Sequence, residues 1–424
     1  MATIPSLALI PSGYKASKVY SVLPTDGTGD FTFTRSGNAT RVNSEGLIEL
    51  VSTNVPRLNY PLIDGVVNGC PSLLLEPQRT NLIQYSEDFS QGYWTKDGSS
   101  VTSGFTSPDG TANAFKMTED SATSVHKISN NSAIANSFQS QSIFIKYDSS
   151  QQFIQTTSSR SINNYVNFDI LNKTLTNYGT SVGKIVELSS GWLRLEVYHD
   201  SSTTAYWHFI TSLTASWSES YLGTGKHLLI FGAQVEAGSY PTSYIPNFGT
   251  ALGATRSAET CNNAGDVNTF NDSEGVLFAE ISALSDDGTN RQIAISNGTT
   301  SQRNYIGYRI STNQVIGGSV NTSEVFLNYT LSDSKDFSKI AFKYKQNDLA
   351  LWVNGFEVKT SASANVPTGL DRLNFNDGSG NTNFYGKTKQ IQYFDSALND
   401  SDLETLTSWD SFSDMATSQL YSVE

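Results

Sequence analysis

The chain has 424 residues, of which 38% are hydrophobic and 11% aromatic, and its net charge is −13 with a pI near 4.8. This length suits two or three domains. Phosphate binding needs grouped Lys and Arg side chains, and the sequence has no such cluster, so nucleic acid and anionic membrane surfaces are poor partners. No stretch approaches the roughly 18 apolar residues of a membrane span, so membrane insertion is not expected.

The composition favours sheets over helices. The sequence contains 20 Tyr, 22 Phe and 6 Trp with 32 Gly, which suits pleated, half-buried strands joined by many turns. Its two cysteines, Cys70 and Cys261, are too few for a disulfide-stapled secreted module, so free thiols are expected. The apolar run at residues 7–10 lacks a basic leader and is flanked by Pro5 and Pro11, unlike a signal peptide. A protein of this kind that acts outside the cell would leave by lysis or within a particle.

Residues 1–80 form the first predicted unit, a short and irregular β module. Residues 30–35 alternate apolar and polar side chains, as a half-buried strand does, and residues 46–51 and 72–76 are further strand candidates. A module with so few apolar residues can barely bury a core alone. We expect it to anchor and assemble the protein by packing on a partner, another domain or an identical subunit.

Residues 81–250 contain a regular series of short strand candidates. Turn pairs such as Asp97-Gly98 and Asp109-Gly110 separate them. The candidates lie at residues 114–117, 141–147, 165–170, 193–199, 206–210 and 228–235. Spacing of this kind predicts an antiparallel sandwich or jelly roll.

Residues 251–265 read as a linker, and residues 266–412 repeat the strand pattern. The strand candidates there are residues 275–281, 291–296, 305–310, 325–329, 339–344, 349–353 and 387–394. Asn354-Gly355 predicts a type I′ hairpin turn. Residues 399–404 open a short helix, and the polar tail 413–424 is expected to be flexible. The predicted fold class is therefore all-β, with two tandem antiparallel β-sandwiches of jelly-roll type behind a short N-terminal β module.

Three long motifs carry a resemblance to a known family. They are FTRSGNATRVN at residues 33–43, leading into GLIE at 46–49; GCPSLLLEPQRTNL at 69–82; and FGAQVEAGSYPTSYIP at 231–246, followed by ATR at 254–256. With GWLRL at 191–195, they resemble structural proteins of tailed-bacteriophage virions, of the fibre or appendage type, whose middle domain is a carbohydrate-binding-module-like jelly roll. The third region, with WVNG at 352–355 and YFDSAL at 393–398, resembles concanavalin A-like/laminin G-like lectin domains.

The sequence lacks the parts that an enzyme of a familiar kind would need. Glycoside hydrolysis uses two carboxyl groups flanking one bond. Asp400, Asp402 and Glu404 stand at every second position, as a pair of catalytic acids on one strand would. However, the segment is typical of the first turn of a helix, where the helix dipole stabilises acidic side chains. The strands offer only lone acids, namely Asp169, Glu196, Glu280 and Glu357. No nucleophile elbow, phosphate-binding glycine loop or close pair of histidine ligands occurs. A non-enzymatic protein is expected.

Sugar binding needs less, namely an aromatic face for the ring and a few polar groups for the hydroxyls. Tyr93 with Trp94 is one candidate platform, and Tyr206 with Trp207 is another. The alternative is core packing, which the strand pattern favours for Trp207, whereas Trp94 lies beside a turn and is the better surface candidate.

Two loops of the third region are rich in side-chain oxygens. In the loop at 374–381, Asn376, Asp377 and Asn381 are candidates for glycan binding. In the loop at 285–290, Asp286 and Asp287 are candidate calcium ligands, because calcium takes six to eight oxygens and laminin G-like lectins often hold one. Plain turn chemistry is the alternative, and it is the favoured one.

The resemblance implies a non-enzymatic virion appendage, a head or tail fibre or spike, that displays lectin-like domains for adhesion to host-surface glycan. The alternatives are a purely structural decoration or cementing protein and a polysaccharide-degrading glycosidase. The expected partners are other virion proteins through the N-terminal module and host-surface polysaccharide, with a homo-oligomer, dimer or trimer. Structural calcium is the one cofactor considered. The expected location is the particle surface, after synthesis in the host cytoplasm.

Overall fold

The computed structural model describes residues 4–130, 138–157, 163–200, 208–212, 220–309, 311–411 and 413–415. Within these ranges the regular secondary structure consists almost entirely of short strands in antiparallel sheets, so the predicted all-β sandwich class is confirmed. In the same ranges, no helix combines the length and apolar character needed to cross a membrane. The predicted flexible tail lies outside the described residues apart from 413–415.

The first part of the chain forms very short strands joined by turns. They are β1 (Leu7–Leu9), β2 (Tyr14–Lys15), β3 (Lys18–Val19), β4 (Phe31–Thr34), β5 (Ala39–Val42), β6 (Ile48–Val51), β7 (Arg57–Asn59), β8 (Leu62–Ile63), β9 (Val66–Val67), β10 (Ser72–Leu75) and β11 (Arg79–Asn81). Strands β5–β6 and β8–β9 form small hairpins, and β2, β3 and β4 pair in series. Such short strands leave this part dependent on its neighbours for a core.

The middle part is a sandwich of two six-stranded sheets. The strands of this part are β12 (Trp94–Asp97), β13 (Ser99–Phe105), β14 (Ala114–Glu119), β15 (Thr123–Ser124), β16 (Lys127–Asn130), β17 (Phe138–Lys146), β18 (Phe153–Thr157), β19 (Tyr165–Asp169), β20 (Thr174–Tyr178), β21 (Val182–Glu187), β22 (Trp192–Asp200), β23 (His208–Ser212), β24 (Tyr221–Leu222) and β25 (His227–Ala237), with a 3-10 turn at Ser189–Gly191. Strands β15 and β24 pair with each other outside the two large sheets. One sheet has the order β12-β16-β23-β18-β19-β20, and the other has the order β13-β14-β25-β17-β22-β21. Ile128, Ile154 and Phe168 of the first sheet pack against Ile143 and Ile230 of the second sheet in a hydrophobic core.

The last part forms a second sandwich. It follows two short strands, β26 (Ala254–Arg256) and β27 (Thr260–Asn262), which pair with β11 and β4. Its own elements are β28 (Glu274–Ala283), β29 (Arg291–Ser296), β30 (Gln302–Tyr308), β31 (Gln314–Asn321), β32 (Ser323–Thr330), β33 (Ser338–Lys345), β34 (Leu349–Val353), β35 (Phe356–Ser361), β36 (Arg372–Asn374), β37 (Gly386–Phe394) and α1 (Asp400–Thr407). One sheet has the order β32-β31-β30-β29-β36, and the other runs β35-β34-β33-β28-β37 before it continues into β10 and β7.

The N-terminal strands therefore complete the sheet of the C-terminal sandwich. Strands β1 and β10 both pair with β37, which places Leu7 opposite Tyr393 and Leu74 opposite Lys387. Strand β4 pairs with β27, and the N-terminal apolar side chains share one core with those of the C-terminal sandwich. Residues 1–80 thus bury their apolar surface against another part of the same chain, while the boundaries of the predicted domains remain a prediction.

Several local predictions are confirmed. Asn354 and Gly355 turn the β34–β35 hairpin with φ values of 51° and 91°. Helix α1 begins where expected, and the Asn399 side chain caps it by accepting a hydrogen bond of 3.0 Å from the backbone N–H of Asp402. Cys70 and Cys261 are free thiols, the first exposed and the second buried.

Candidate functional site

A cleft of about 720 Å³ lies where the N-terminal hairpins, the middle sandwich and the C-terminal sandwich meet. We call it the junction cleft. Its volume falls within the roughly 300–1,000 Å³ of small-molecule sites, and junctions between domains are a common place for such sites. Both apolar and charged side chains line it.

The floor of the junction cleft is the outer face of the middle sandwich. Strands β21 and β22 place Lys184 opposite Glu196, Val182 opposite Tyr198 and Val186 opposite Arg194. Because side chains alternate along a strand, the intervening Leu195 and Val197 point the other way and are buried in the core. The alternation thus presents a charged and aromatic surface to the cleft.

The opposite wall comes from the C-terminal sheet. Lys387 of β37 lies opposite Leu74 of β10 and Ser282 of β28, on the face that looks toward the middle sandwich. Residues 239–244, the hairpin residues Arg41 and Ile48, residues 283–285, and the charged residues Asp333, Lys335 and Asp336 also line the cleft. Arg41 is engaged by Glu49 at 2.7 Å, so its charge is already matched.

A buried network of ion pairs adjoins the cleft. Glu259, fully buried, accepts hydrogen bonds from Arg35 Nη1 at 2.7 Å and from Arg57 Nε at 2.8 Å, and it also pairs with Arg57 Nη2. Glu76 pairs with Arg57 at 2.8 Å and with Arg256 at 2.9 Å. Burial alone would raise the pKa of Glu76, but Arg256 and Arg57 hold that pKa far below its usual value. Glu76 therefore remains ionised and fully engaged.

The network continues into the segment that closes the cleft. Thr242 donates from its backbone N–H to Glu236 at 2.7 Å and from its hydroxyl at 2.5 Å, and the same hydroxyl accepts from Arg256 at 3.0 Å. Ser243 donates its hydroxyl to Glu76 at 2.6 Å. Burial raises the pKa of Glu236. These bonds fix residues 239–244 and hence the position of Tyr240 in the cleft wall.

The cations of the cleft differ in their partners. Arg194 pairs with Glu196 at 3.2 Å and donates to Ser142 Oγ at 2.9 Å and to the carbonyl oxygen of Thr242 at 2.7 Å. The side chains of Lys184 and Lys387 make no hydrogen bond or ion pair with any residue that the structure describes. Burial, followed by the proximity of Lys184, lowers the pKa of Lys387.

The predicted aromatic platform at Tyr93 and Trp94 needs correction. Trp94 is only 3% exposed, its ring packs on Phe89 in the sandwich core, and its indole N–H donates to the carbonyl oxygen of Tyr85 at 3.0 Å. The ring is therefore unavailable to a sugar, because its apolar face is packed in the core and its N–H group already has a hydrogen-bond acceptor. Tyr93 is half-buried against the same core.

The second predicted platform, Tyr206 and Trp207, lies outside the described residues. Strand β23 follows it directly and belongs to the other sheet of the middle sandwich. The outer face of that sheet carries Lys127, Gln155 and Asn167 in one row, and Gln155 donates to Asn167 at 3.2 Å. All three side chains are buried, so this polar row is not an open surface of the middle sandwich.

The loop at 374–381 is held by turn contacts. Asn376 is buried and donates to Asn262 at 3.1 Å, while the carboxylate of Asp377 accepts from the backbone N–H groups of Ser379 and Asn381 at 3.0 and 3.1 Å. Asn381 is exposed and donates to Ser379 at 3.1 Å. Of the three glycan candidates, only Asn381 thus presents its side chain to solvent, and their role in glycan binding remains a prediction.

The calcium candidates also have protein partners. Asp286 accepts from the backbone N–H of Asn313 at 3.0 Å, and Asp287 accepts from Arg291 at 2.7 Å and from the N–H of Thr289 at 3.1 Å. Burial acts to raise the pKa of Asp287, but the Arg291 guanidinium keeps it below its usual value. No group of three or more His, Cys, Asp or Glu side chains is placed to hold a metal in the described part of the chain.

Reasoning from the sequence missed the residues of the junction cleft. Lys184 and Lys387 stand in ordinary strand patterns, and nothing local distinguishes them from solvent-facing lysines. Tyr240 and Glu76 lie inside the long motifs at 231–246 and 69–82, so the motifs were the one available signal.

Comparisons with known proteins give structural neighbours of low similarity. No family model and no curated protein matches the chain. Among solved structures, Ruminococcus gnavus IT-sialidase CBM40 bound to α2,3-sialyllactose is 17% identical, with 34% of this chain and 91% of that chain covered and a TM-score of 0.30. Mouse laminin α1 chain domains LG4-5 are 12% identical over 66% of this chain and 90% of that chain, with a TM-score of 0.22. Similarity at this level carries no conclusion about ligand or activity.

Proposed function

We propose that the chain is a non-enzymatic appendage of a bacteriophage virion that binds host-surface glycan in the junction cleft. The observation that carries the glycan-binding part is the cleft itself, where tyrosines, paired charges and two lysines without partners surround about 720 Å³. Sugars need an aromatic face and a few placed polar groups, and the cleft offers both. The virion part rests on the resemblance of residues 33–43, 69–82 and 231–246.

Tyr240 is the residue best placed to test binding in the cleft. It lies in the wall, and its ring packs against the guanidinium of Arg79 at 5.5 Å. Stacking of a sugar on its ring would survive Tyr240→Phe and be lost in Tyr240→Ala. We expect the alanine variant to bind about tenfold more weakly, which corresponds to about 1.4 kcal/mol.

The experiment is a glycan array followed by titration of the best ligand with the full chain. Tyr329→Ala is the matched control, because Tyr329 is 42% exposed and lies outside the cleft. Glycan binding that falls in Tyr240→Ala but not in Tyr240→Phe or Tyr329→Ala supports the proposal. Absence of binding to every glycan, or equal binding by all variants, contradicts it. The purely structural alternative gains support if Tyr240→Ala particles adsorb to the host as well as wild-type particles do.

One observation favours a glycosidase as the second candidate. Asp333 and Asp336 both line the cleft, and burial followed by the charge of Asp333 raises the pKa of Asp336, as a general acid requires. Against this, Lys335 pairs with Asp333 at 3.1 Å, and Arg194 engages another acid of the cleft, Glu196, at 3.2 Å. Release of oligosaccharides from host polysaccharide by the wild type, but not by Asp336→Asn, would establish this alternative.

A further inference from the structure

Two lysines face the junction cleft from opposite walls. Lys184 stands on β21 of the middle sandwich and Lys387 on β37 of the C-terminal sheet. The side chain of Lys184 is exposed and that of Lys387 is half-buried. Lys184 is close enough to Lys387 to disfavour the charge of Lys387. Neither lysine side chain has a hydrogen bond or ion pair within the ranges that the structure describes.

The acids near these lysines are already engaged by arginines. Glu76 pairs with both Arg57 and Arg256, at 2.8 and 2.9 Å, and Glu196 pairs with Arg194 at 3.2 Å. The Nε atom of Arg194 is also buried without a hydrogen-bond partner. Glu76 and Glu196 are therefore not available for direct contact with Lys184 or Lys387, although a further acid, Asp336, also lines the cleft.

Lys387 is half-buried, and a cation that loses water without gaining a partner destabilises the folded state, whereas Lys184 is exposed and keeps its contact with solvent. The chain as a whole carries a net charge of −13, so two lysines without direct partners in one cleft run against its general composition. An anionic group between the two lysines would compensate both charges. A neutral sugar would leave the cost in place.

We propose that the junction cleft binds an anionic saccharide, whose carboxylate or phosphate group lies between Lys184 and Lys387. This inference rests on the proposed glycan-binding function and deepens it by assigning the ligand class. Lysines are suited to this role because each ammonium group offers three hydrogen-bond donors and does not require the anion to approach in one fixed geometry. The sugar ring then lies toward Tyr240.

The competing explanation is that Lys387 serves as a distant counterion for Glu76 and Glu196. The two explanations differ in what Lys387→Gln does to stability. If the charge of Lys387 is compensated only by a bound ligand, replacement of Lys387 removes an uncompensated charge from the free protein, and the melting temperature stays unchanged or rises. If Lys387 is a structural counterion, the melting temperature falls.

The experiment uses the full chain on an array that carries neutral, carboxylated and phosphorylated oligosaccharides, followed by titration of the best binders. The variants are Lys184→Gln and Lys387→Gln, and the control is Lys359→Gln, an exposed lysine on β35 away from the cleft. We expect preferential binding of acidic glycans, and a loss of about tenfold or more in affinity for each cleft variant, as for a hydrogen bond to a charged group. The control should bind as the wild type does.

The matched ligand for a carboxylated glycan is its methyl ester, which keeps the sugar and removes the charge. Weak binding of the ester, together with strong binding of the acid, supports the inference. Stronger binding of phosphorylated than carboxylated glycans assigns the anion as phosphate. Equal binding of acid and ester, unchanged affinity in both lysine variants, or a lower melting temperature for Lys387→Gln overturns the inference and leaves the glycan-binding proposal standing. Failure to bind any glycan overturns the proposed function itself.

Discussion

Replacement of Glu259 by Gln should strongly destabilise the protein. The carboxylate of Glu259 is fully buried and faces two fully buried arginines, Arg35 and Arg57, while also accepting from the backbone N–H of Glu76 at 2.9 Å. Removal of one partner from a buried ion pair costs about 3–5 kcal/mol, because the opposite charge stays buried. Glutamine keeps the volume and one acceptor oxygen, so we expect about 4 kcal/mol.

The assay is urea denaturation, with the free energy of unfolding and its denaturant slope compared between variant and wild type. Glu49→Gln is the matched control, because Glu49 also pairs with an arginine, Arg41 at 2.7 Å, but its side chain is 42% exposed. A pair so exposed should contribute less than about 1 kcal/mol. A loss for Glu259→Gln no larger than that of the control, with an unchanged slope, would refute the account of the buried network.

Three further outcomes follow from other sites. Burial raises the pKa of Glu87 from 4.5 to about 7, so the stability that its protonated form contributes is full below pH 4.5 and is lost as the pH rises through 7. Melting curves measured from pH 4.5 to 8 should show a loss of up to about 3 kcal/mol. The Glu87→Gln variant should lack this pH dependence. Trp94→Ala should cost about 3–5 kcal/mol in denaturant titrations, since its ring is core, and a loss below 1 kcal/mol would restore its role as a surface platform. Millimolar calcium should leave the melting temperature at its value in EDTA, because the carboxylates of Asp287 and Asp286 already accept hydrogen bonds from Arg291 and Asn313. A higher melting temperature in calcium would contradict this expectation.

Elements specified by local sequence could be predicted. Residues Phe31–Thr34 alternate buried and exposed side chains as the sequence pattern indicates, and the turn at Asn354-Gly355 needs two positive φ values that these residues tolerate. Asn399 and the acids that follow it mark the start of α1. In each case the deciding interactions lie within a few residues, so composition and spacing suffice.

Elements specified by distant partners could not be predicted. Strand β1 has only three residues, and its place beside β37 depends on a pairing between the two ends of the chain. Trp94 has a turn at its border, which suggests exposure, but its indole finds a buried acceptor in the carbonyl group of Tyr85. The junction cleft is the extreme case, because Lys184 and Lys387 come from two different sandwiches and face a common cleft only when those sandwiches pack together.

The long motifs take on a different meaning in the structure. Arg35, Glu76 and Arg256 come from three separate motifs and meet in one buried network with Arg57 and Glu259. Buried charges of this kind tolerate little substitution, because loss of one partner leaves the others uncompensated. Long polar motifs can therefore report a requirement of the fold, even where they look like a binding signature.

Glu76 connects this network to the candidate site. Its carboxylate lines the cleft, yet two arginines and the hydroxyl of Ser243 already occupy it. The acid that lies near Lys387 is thus held by the fold and cannot also neutralise that lysine by direct contact. Glu76 and Glu196 are thus committed to arginines, while the side chains of Lys184 and Lys387 have no partner among the described residues, and this difference supports the proposal of an anionic ligand.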